Sequence, residues 1–215
     1  MKKLLPIFLT CTLPAWAGLK LEESAGSMKV LDGDKLVTEY RTDWKVPYLY
    51  PLMSSSGANI TRHWPTKDGV EGEQKDHPHH RSVWMGHGAV NGADFWAFKD
   101  TKDAKIIHHG FSGKGDKDGA PTFTANLEWN AGGKKLLTEK RTYTFRQISD
   151  KTLEIDFVCA LQAEEDVTFG DTKEGMFAFR LDRTLRLKGP SAKSHIVNSE
   201  GIADDAQASM RELQA

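Results

Sequence analysis

Five of the eight histidines in this 215-residue chain fall between His63 and His87. The run reads Thr61-Arg62-His63-Trp64-Pro65, then Asp76-His77-Pro78-His79-His80-Arg81-Ser82-Val83-Trp84-Met85-Gly86-His87, with Asp94-Phe95-Trp96 shortly after. An imidazole titrates near neutral pH, so such a group can exchange protons with a substrate or ligate a metal. Proline holds the residue before it extended, which predicts His77 and His79 on one side of the chain and His80 on the other. His77, His79 and His80 are therefore the expected acid/base groups. The Arg62 and Arg81 guanidiniums suit gripping substrate oxygens, and the Asp76 carboxylate suits tuning the imidazoles. Trp84 and Trp96, with Trp64 beside them, offer flat faces for a sugar ring, and Asp94 is grouped with them as substrate-binding.

A second signal lies in Asp171-Thr172-Lys173-Glu174-Gly175-Met176-Phe177-Ala178-Phe179-Arg180. Glu174 falls on a turn just ahead of a strand, where a carboxylate can act as a second acid/base group. Period two places Arg180 on the face of Met176 and Ala178, opposite Phe177 and Phe179, as a further substrate-binding candidate. A transition-metal site needs three or four ligands, and neither a cysteine pair nor an H-x-x-x-H pair supplies them. No cofactor is favoured. The alternative is copper or another transition metal on His77, His79 and His87. His108-His109 reads as a surface pair on an edge strand.

The elements that must position these groups are strands. Leu153, Ile155, Phe157, Cys159 and Leu161 share one parity, with Glu154 and Asp156 facing the other way, and Phe123, Ala125, Leu127 and Trp129 alternate with polar residues. A long strand is expected from Phe177 to Leu187, and others near 28–31, 35–41, 58–62, 105–108, 136–148 and 194–198. Turn signals such as Asp32-Gly33, Asn91-Gly92 and Gly132-Gly133 separate them, and Gly110 to Gly119 reads as a flexible loop. The fold class is all-β, an antiparallel β-sandwich. Cys159 shares the apolar parity and reads as a buried small hydrophobe.

Lys2-Lys3, the apolar run Leu4 to Leu13 and Ala15-Trp16-Ala17 form the three parts of a secretory signal, expected to be cleaved after Ala17. Cleavage leaves about 198 residues, 27 basic against 30 acidic groups, and Cys159 as the remaining cysteine. The domain expected over 18–202 is followed by an Ala-rich polar tail, 203–215, that breaks the strand pattern. The near-neutral charge shows no basic stripe for nucleic acid. No downstream run approaches the roughly 18 apolar residues of a membrane helix. The expected localisation is periplasmic or extracellular and the expected partner a small-molecule or glycan ligand; oligomeric state is left open.

Tyr48-Leu49-Tyr50-Pro51-Leu52, Asn59-Ile60-Thr61-Arg62 with Trp64-Pro65, the block Asp76 to Trp84, Asn91-Gly92 with Asp94-Phe95-Trp96, and Thr172-Lys173-Glu174-Gly175-Met176-Phe177 together resemble the PmoA-type family, labelled methane oxygenase. The resemblance spans about Val46 to Gly201. It implies an exported bacterial β-sandwich, usually longer than this chain, whose last strands are here replaced by the tail. The label implies copper and oxygen chemistry. The sandwich with a His/Arg/Trp/Glu pocket is also similar to mutarotase-like folds, in which a histidine acid and a carboxylate base act on carbohydrate. A carbohydrate-directed enzyme or binder is the leading expectation, a metal-dependent oxygenase the second, and a non-catalytic envelope module the third.

Overall fold

Alternation of apolar and polar side chains puts one face of each strand against a core, and ten strands form among the described residues. The computed structural model describes residues 18–99, 102–189, 191–197 and 199–203. The expected leader at 1–17 and the tail beyond Ala203 lie outside them. The strands are β1 (Leu19–Ser24), β2 (Ser27–Asp32), β3 (Lys35–Arg41), β4 (Tyr48–Leu52), β5 (Val83–His87), β6 (Lys105–Lys117), β7 (Ala120–Ala131), β8 (Lys134–Gln147), β9 (Leu153–Ala163) and β10 (Gly175–Phe179). They make a six-stranded sheet in the order β1-β2-β3-β4-β5-β10 and a four-stranded sheet in the order β6-β7-β8-β9. Every pairing is antiparallel, and the two sheets form the expected sandwich. No helix among the described residues is long and apolar enough to cross a membrane.

The core follows the parity of the sequence. Phe123, Ala125, Leu127 and Trp129 of β7 and Tyr143 and Phe145 of β8 face Met28, Val30, Tyr40, Leu49, Val83 and Met85 of the larger sheet. Tyr40 meets Phe123 edge-on with ring centres 5.6 Å apart, a favoured aromatic geometry. One ion pair breaks the apolar rule on β8. Glu139 and Arg141 are both fully buried, joined by Arg141 Nη2 to Glu139 Oε2 at 2.9 Å, and Trp129 Nε1 donates to the same oxygen at 2.7 Å. Cys159 sits half-buried beside this pair.

Four expectations change. Residues 58–62 and 194–198 contribute isolated bridges, Met53 with Asn59, Thr61 with Leu181 and Val197 with Ala203, in place of strands. The strand expected to reach Leu187 stops at Phe179, because Asp182 caps a short 3-10 turn by accepting the Thr184 amide at 2.9 Å. The segment read as a loop, Gly110 to Gly119, is mostly β6. Pairing with β7 satisfies its backbone, and the turn narrows to Asp118-Gly119, both at positive φ (55° and 79°), the two-residue hairpin that Asp-Gly favours. His109 stays at the surface near Glu128, but its neighbour His108 turns in, half-buried, to Tyr40 Oη at 3.2 Å.

Candidate functional site

The pairing of β5 with β10 sets Trp84 opposite Ala178 and Gly86 opposite Met176, so these residues share the outer face of the larger sheet. Arg180 continues that face as expected, its amide bonded to the Ser82 carbonyl at 2.6 Å. Gly86 is required here: a Cβ would stand 2.3 Å from the Phe95 carbonyl oxygen. That close approach seats the turn at 94–99 over β5. The Asp94 carboxylate shapes the turn by accepting the amides of Trp96 at 2.9 Å and Ala97 at 2.8 Å. Asp94, expected among the substrate-binding residues, therefore positions Trp96.

The histidine block is not extended. His77 adopts φ 46° and the His80 amide closes a turn onto the His77 carbonyl at 3.0 Å. All three imidazoles consequently gather on one side, which corrects the expected split. His77 stacks on His80 with ring centres 4.8 Å apart, His79 meets His80 edge-on at 4.3 Å, and His80 lies flat on Trp84 at 5.0 Å. Asp76 anchors the group. Its Oδ1 accepts from Arg62 Nη2 at 2.6 Å, and its Oδ2 accepts from Arg180 Nη2 at 3.1 Å and His77 Nδ1 at 2.7 Å. An ionised carboxylate only accepts, so the Nδ1 of His77 carries a proton, and in the neutral tautomer the lone pair lies on Nε2.

Burial works to raise the Asp76 carboxyl, but the His77 hydrogen bond and the Arg62 and Arg180 charges overcome it and hold the group at about 2. Burial, followed by the neighbouring His79 and Arg180, pushes His80 down to about 3. At neutral pH His80 is therefore uncharged, so of the two halves of its expected acid/base role the neutral ring suits that of a base. His79 is also lowered, by burial, then Lys99 and His77, while the carboxylates of Glu174 and Asp94 oppose the shift. Glu174 thus lies within electrostatic reach of the histidines, as expected from its place before β10, and its side chain is 36% exposed.

Several expected substrate ligands prove to be supports. Trp84 and Trp96 are 2% and 6% exposed, and Trp84 is covered by His80, so neither offers a free stacking face. Arg62 has no exposed side-chain surface and holds the 74–76 segment from below, through Asp76 and the Gln74 carbonyl. The Arg81 guanidinium lies 3.9 Å over the Trp44 ring. The aromatic rings that line a cleft near the histidines are ones the sequence reading missed. A cleft of about 470 Å³ is lined by Trp44, Phe98, Pro78, His77, His79 and the lysines Lys45 and Lys99. Phe98 follows Trp96 by two residues, whereas Trp44 sits far from the histidine block in sequence and only the fold brings it there. A larger cleft, about 620 Å³, opens elsewhere beside Leu36, Leu52 and Leu153, but it holds no histidine.

The metal set does not fit. His87 packs on Phe169, ring centres 5.3 Å apart, and its Nδ1 accepts the Ala89 amide at 3.1 Å. That bond fixes the proton on Nε2 and removes the lone pair a metal would use. Among the described residues no three His, Cys, Asp or Glu side chains converge to hold an ion.

Residues 27–213 match a family model described as a family of unknown function, DUF6807. The chain belongs to DUF6807. Its match covers all of β2 to β10 and hence both halves of the site. No curated protein and no solved structure matches this DUF6807 chain.

Proposed function

We propose that this DUF6807 protein is an exported enzyme or binder for a carbohydrate-like ligand, with His77 as its acid/base group. The observation that carries the reading is the Asp76–His77 dyad at the mouth of a cleft bearing the Trp44 and Phe98 rings. Aromatic faces suit the apolar side of a sugar ring, and a polar rim suits its hydroxyls. In this reading His77 Nε2 takes a proton from a ligand hydroxyl or a C–H acidified by a neighbouring carbonyl. Asp76 holds the ring in the required tautomer and stabilises the imidazolium that forms. Glu174 is the second proton-transfer candidate, and His79 and His80 are neutral partners that shape the pocket. The PmoA-type resemblance adds the expectation of export.

The test is a panel of mono- and oligosaccharides, followed by turnover and by calorimetry. His77→Gln should abolish turnover and leave binding within about threefold, whereas Trp44→Ala should weaken binding by about tenfold or more. Turnover that survives His77→Gln removes the catalytic assignment. Binding with no turnover across the panel makes the protein a binding module.

A further inference from the structure

Three arginines converge on residues 74–76 with one carboxylate among them. Arg62 and Arg180 share Asp76, and Arg186 Nη1 reaches Gln74 Oε1 at 2.9 Å. Around this contact several buried nitrogens have no hydrogen-bond partner among the described residues: Arg62 Nε and Nη1, Arg180 Nε, Arg186 Nη2 and His80 Nε2. Guanidinium nitrogens can only donate, and a buried donor left unpaired is costly. Arg62 is 1% exposed, yet two of its three nitrogens are unused. The excess is thus of positive charge and of donors, and it calls for acceptor oxygens.

Solvent reaches Arg180, with 26% of its side chain exposed, and the half-buried Arg186, whereas Arg62 is enclosed. Arg180 bonds the same Asp76 oxygen as His77 Nδ1. An anion seated against Arg180 would therefore lie beside the proposed proton-transfer group.

We infer that the ligand of this site carries a carboxylate, as a hexuronic acid or a uronate-bearing glycan does, and that Arg180 binds it with help from Arg186, the enclosed Arg62 adding charge behind. This rests on the carbohydrate reading and narrows it to acidic sugars. The two in-plane oxygens of a carboxylate match the fork of a guanidinium. Lys99, at the rim of the cleft beside His79, adds charge of the same sign.

Calorimetry on the full chain with glucuronate and galacturonate, the neutral sugars glucose and galactose, and inorganic sulfate and phosphate tests the inference. Each uronate should bind about tenfold or more tighter than its neutral counterpart. The advantage should vanish in Arg180→Gln and shrink as salt rises. Arg186→Gln, checked like the first variant by circular dichroism, provides a milder second test and should reduce the advantage by about threefold. Equal binding of uronate and neutral sugar overturns the carboxylate inference and leaves the carbohydrate reading standing. Sulfate or phosphate bound in preference to uronate overturns it in favour of an inorganic anion site. No binding of any sugar overturns both readings.

Discussion

Asp76→Asn keeps the size of the side chain and removes the charge that Arg62, Arg180 and His77 share. Arg62 has no exposed side-chain surface and stands 2.6 Å from the carboxylate. Removing one partner of a fully buried ion pair costs about 3–5 kcal/mol. Asp76 is itself 38% exposed, and solvent screening brings the expectation down to about 2 kcal/mol. A chain of this length should then lose about 4–8 °C in Tm. The pH dependence has a definite sign. The Asp76 carboxyl is held at about 2 in the fold, below the value of about 3.9 for an unfolded chain. Its contribution is therefore complete above about pH 4 and is lost as pH falls toward about 2. After the same allowance for screening, about 1 kcal/mol of stability should disappear over that window. Urea melts of parent and variant between neutral and acidic pH measure both quantities: the gap should be largest near pH 7 and narrow below about pH 4. A double-mutant cycle with Arg62→Met isolates the pair. A variant within about 0.5 kcal/mol of the parent at neutral pH, or a gap that stays constant through the acid range, would refute the account of Asp76 as the anchor.

Gly86→Ala should destabilise by about 1–3 kcal/mol and weaken ligand binding, because the new Cβ displaces the Phe95 carbonyl and the turn carrying Trp96; denaturant melts that match the parent would contradict this. Glu139→Gln should cost about 3–5 kcal/mol, since Arg141 would keep its charge in the core without a counter-ion; the paired change Glu139→Leu with Arg141→Met should recover most of it, read by the same melts. Burial, reinforced by the Glu139 carboxylate, pushes the Cys159 thiol up to about 12. It should react with a thiol reagent far more slowly in the native protein than in denaturant at the same pH, and equal rates would disprove its shielding.

Strand parity was legible wherever a strand has one buried face. The alternations through Phe123–Trp129 and Leu153–Leu161 became β7 and β9 with the expected faces inward. The face shared by Met176, Ala178 and Arg180 was legible for the same reason. What could not be read was whatever depends on pairing or packing with another element. Gly110 to Gly119 has loop composition, and only its ladder to β7 makes it a strand. The His77 turn overrides the local preference of a residue before proline, held by Arg62 and Arg180 through Asp76. The sequence also marked a tryptophan-rich region without revealing which rings line a cleft. Trp84 and Trp96 are covered, whereas Trp44, from the segment between β3 and β4, lines the cleft. Burial is a property of the assembled fold, and composition does not rank it.

The two strands that carry the site are neighbours in space and strangers in sequence. The chain leaves β5 at His87, builds all of β6 to β9, and adds β10 only at Gly175. Contacts that close so long an excursion form late and slowly. On a growing chain the histidine turn and Trp84 emerge well before Glu174 and Arg180, so the proposed site is completed last. The proposed site is therefore complete only once the chain has been made through Arg180, and a molecule halted midway carries the imidazoles without Glu174 and Arg180.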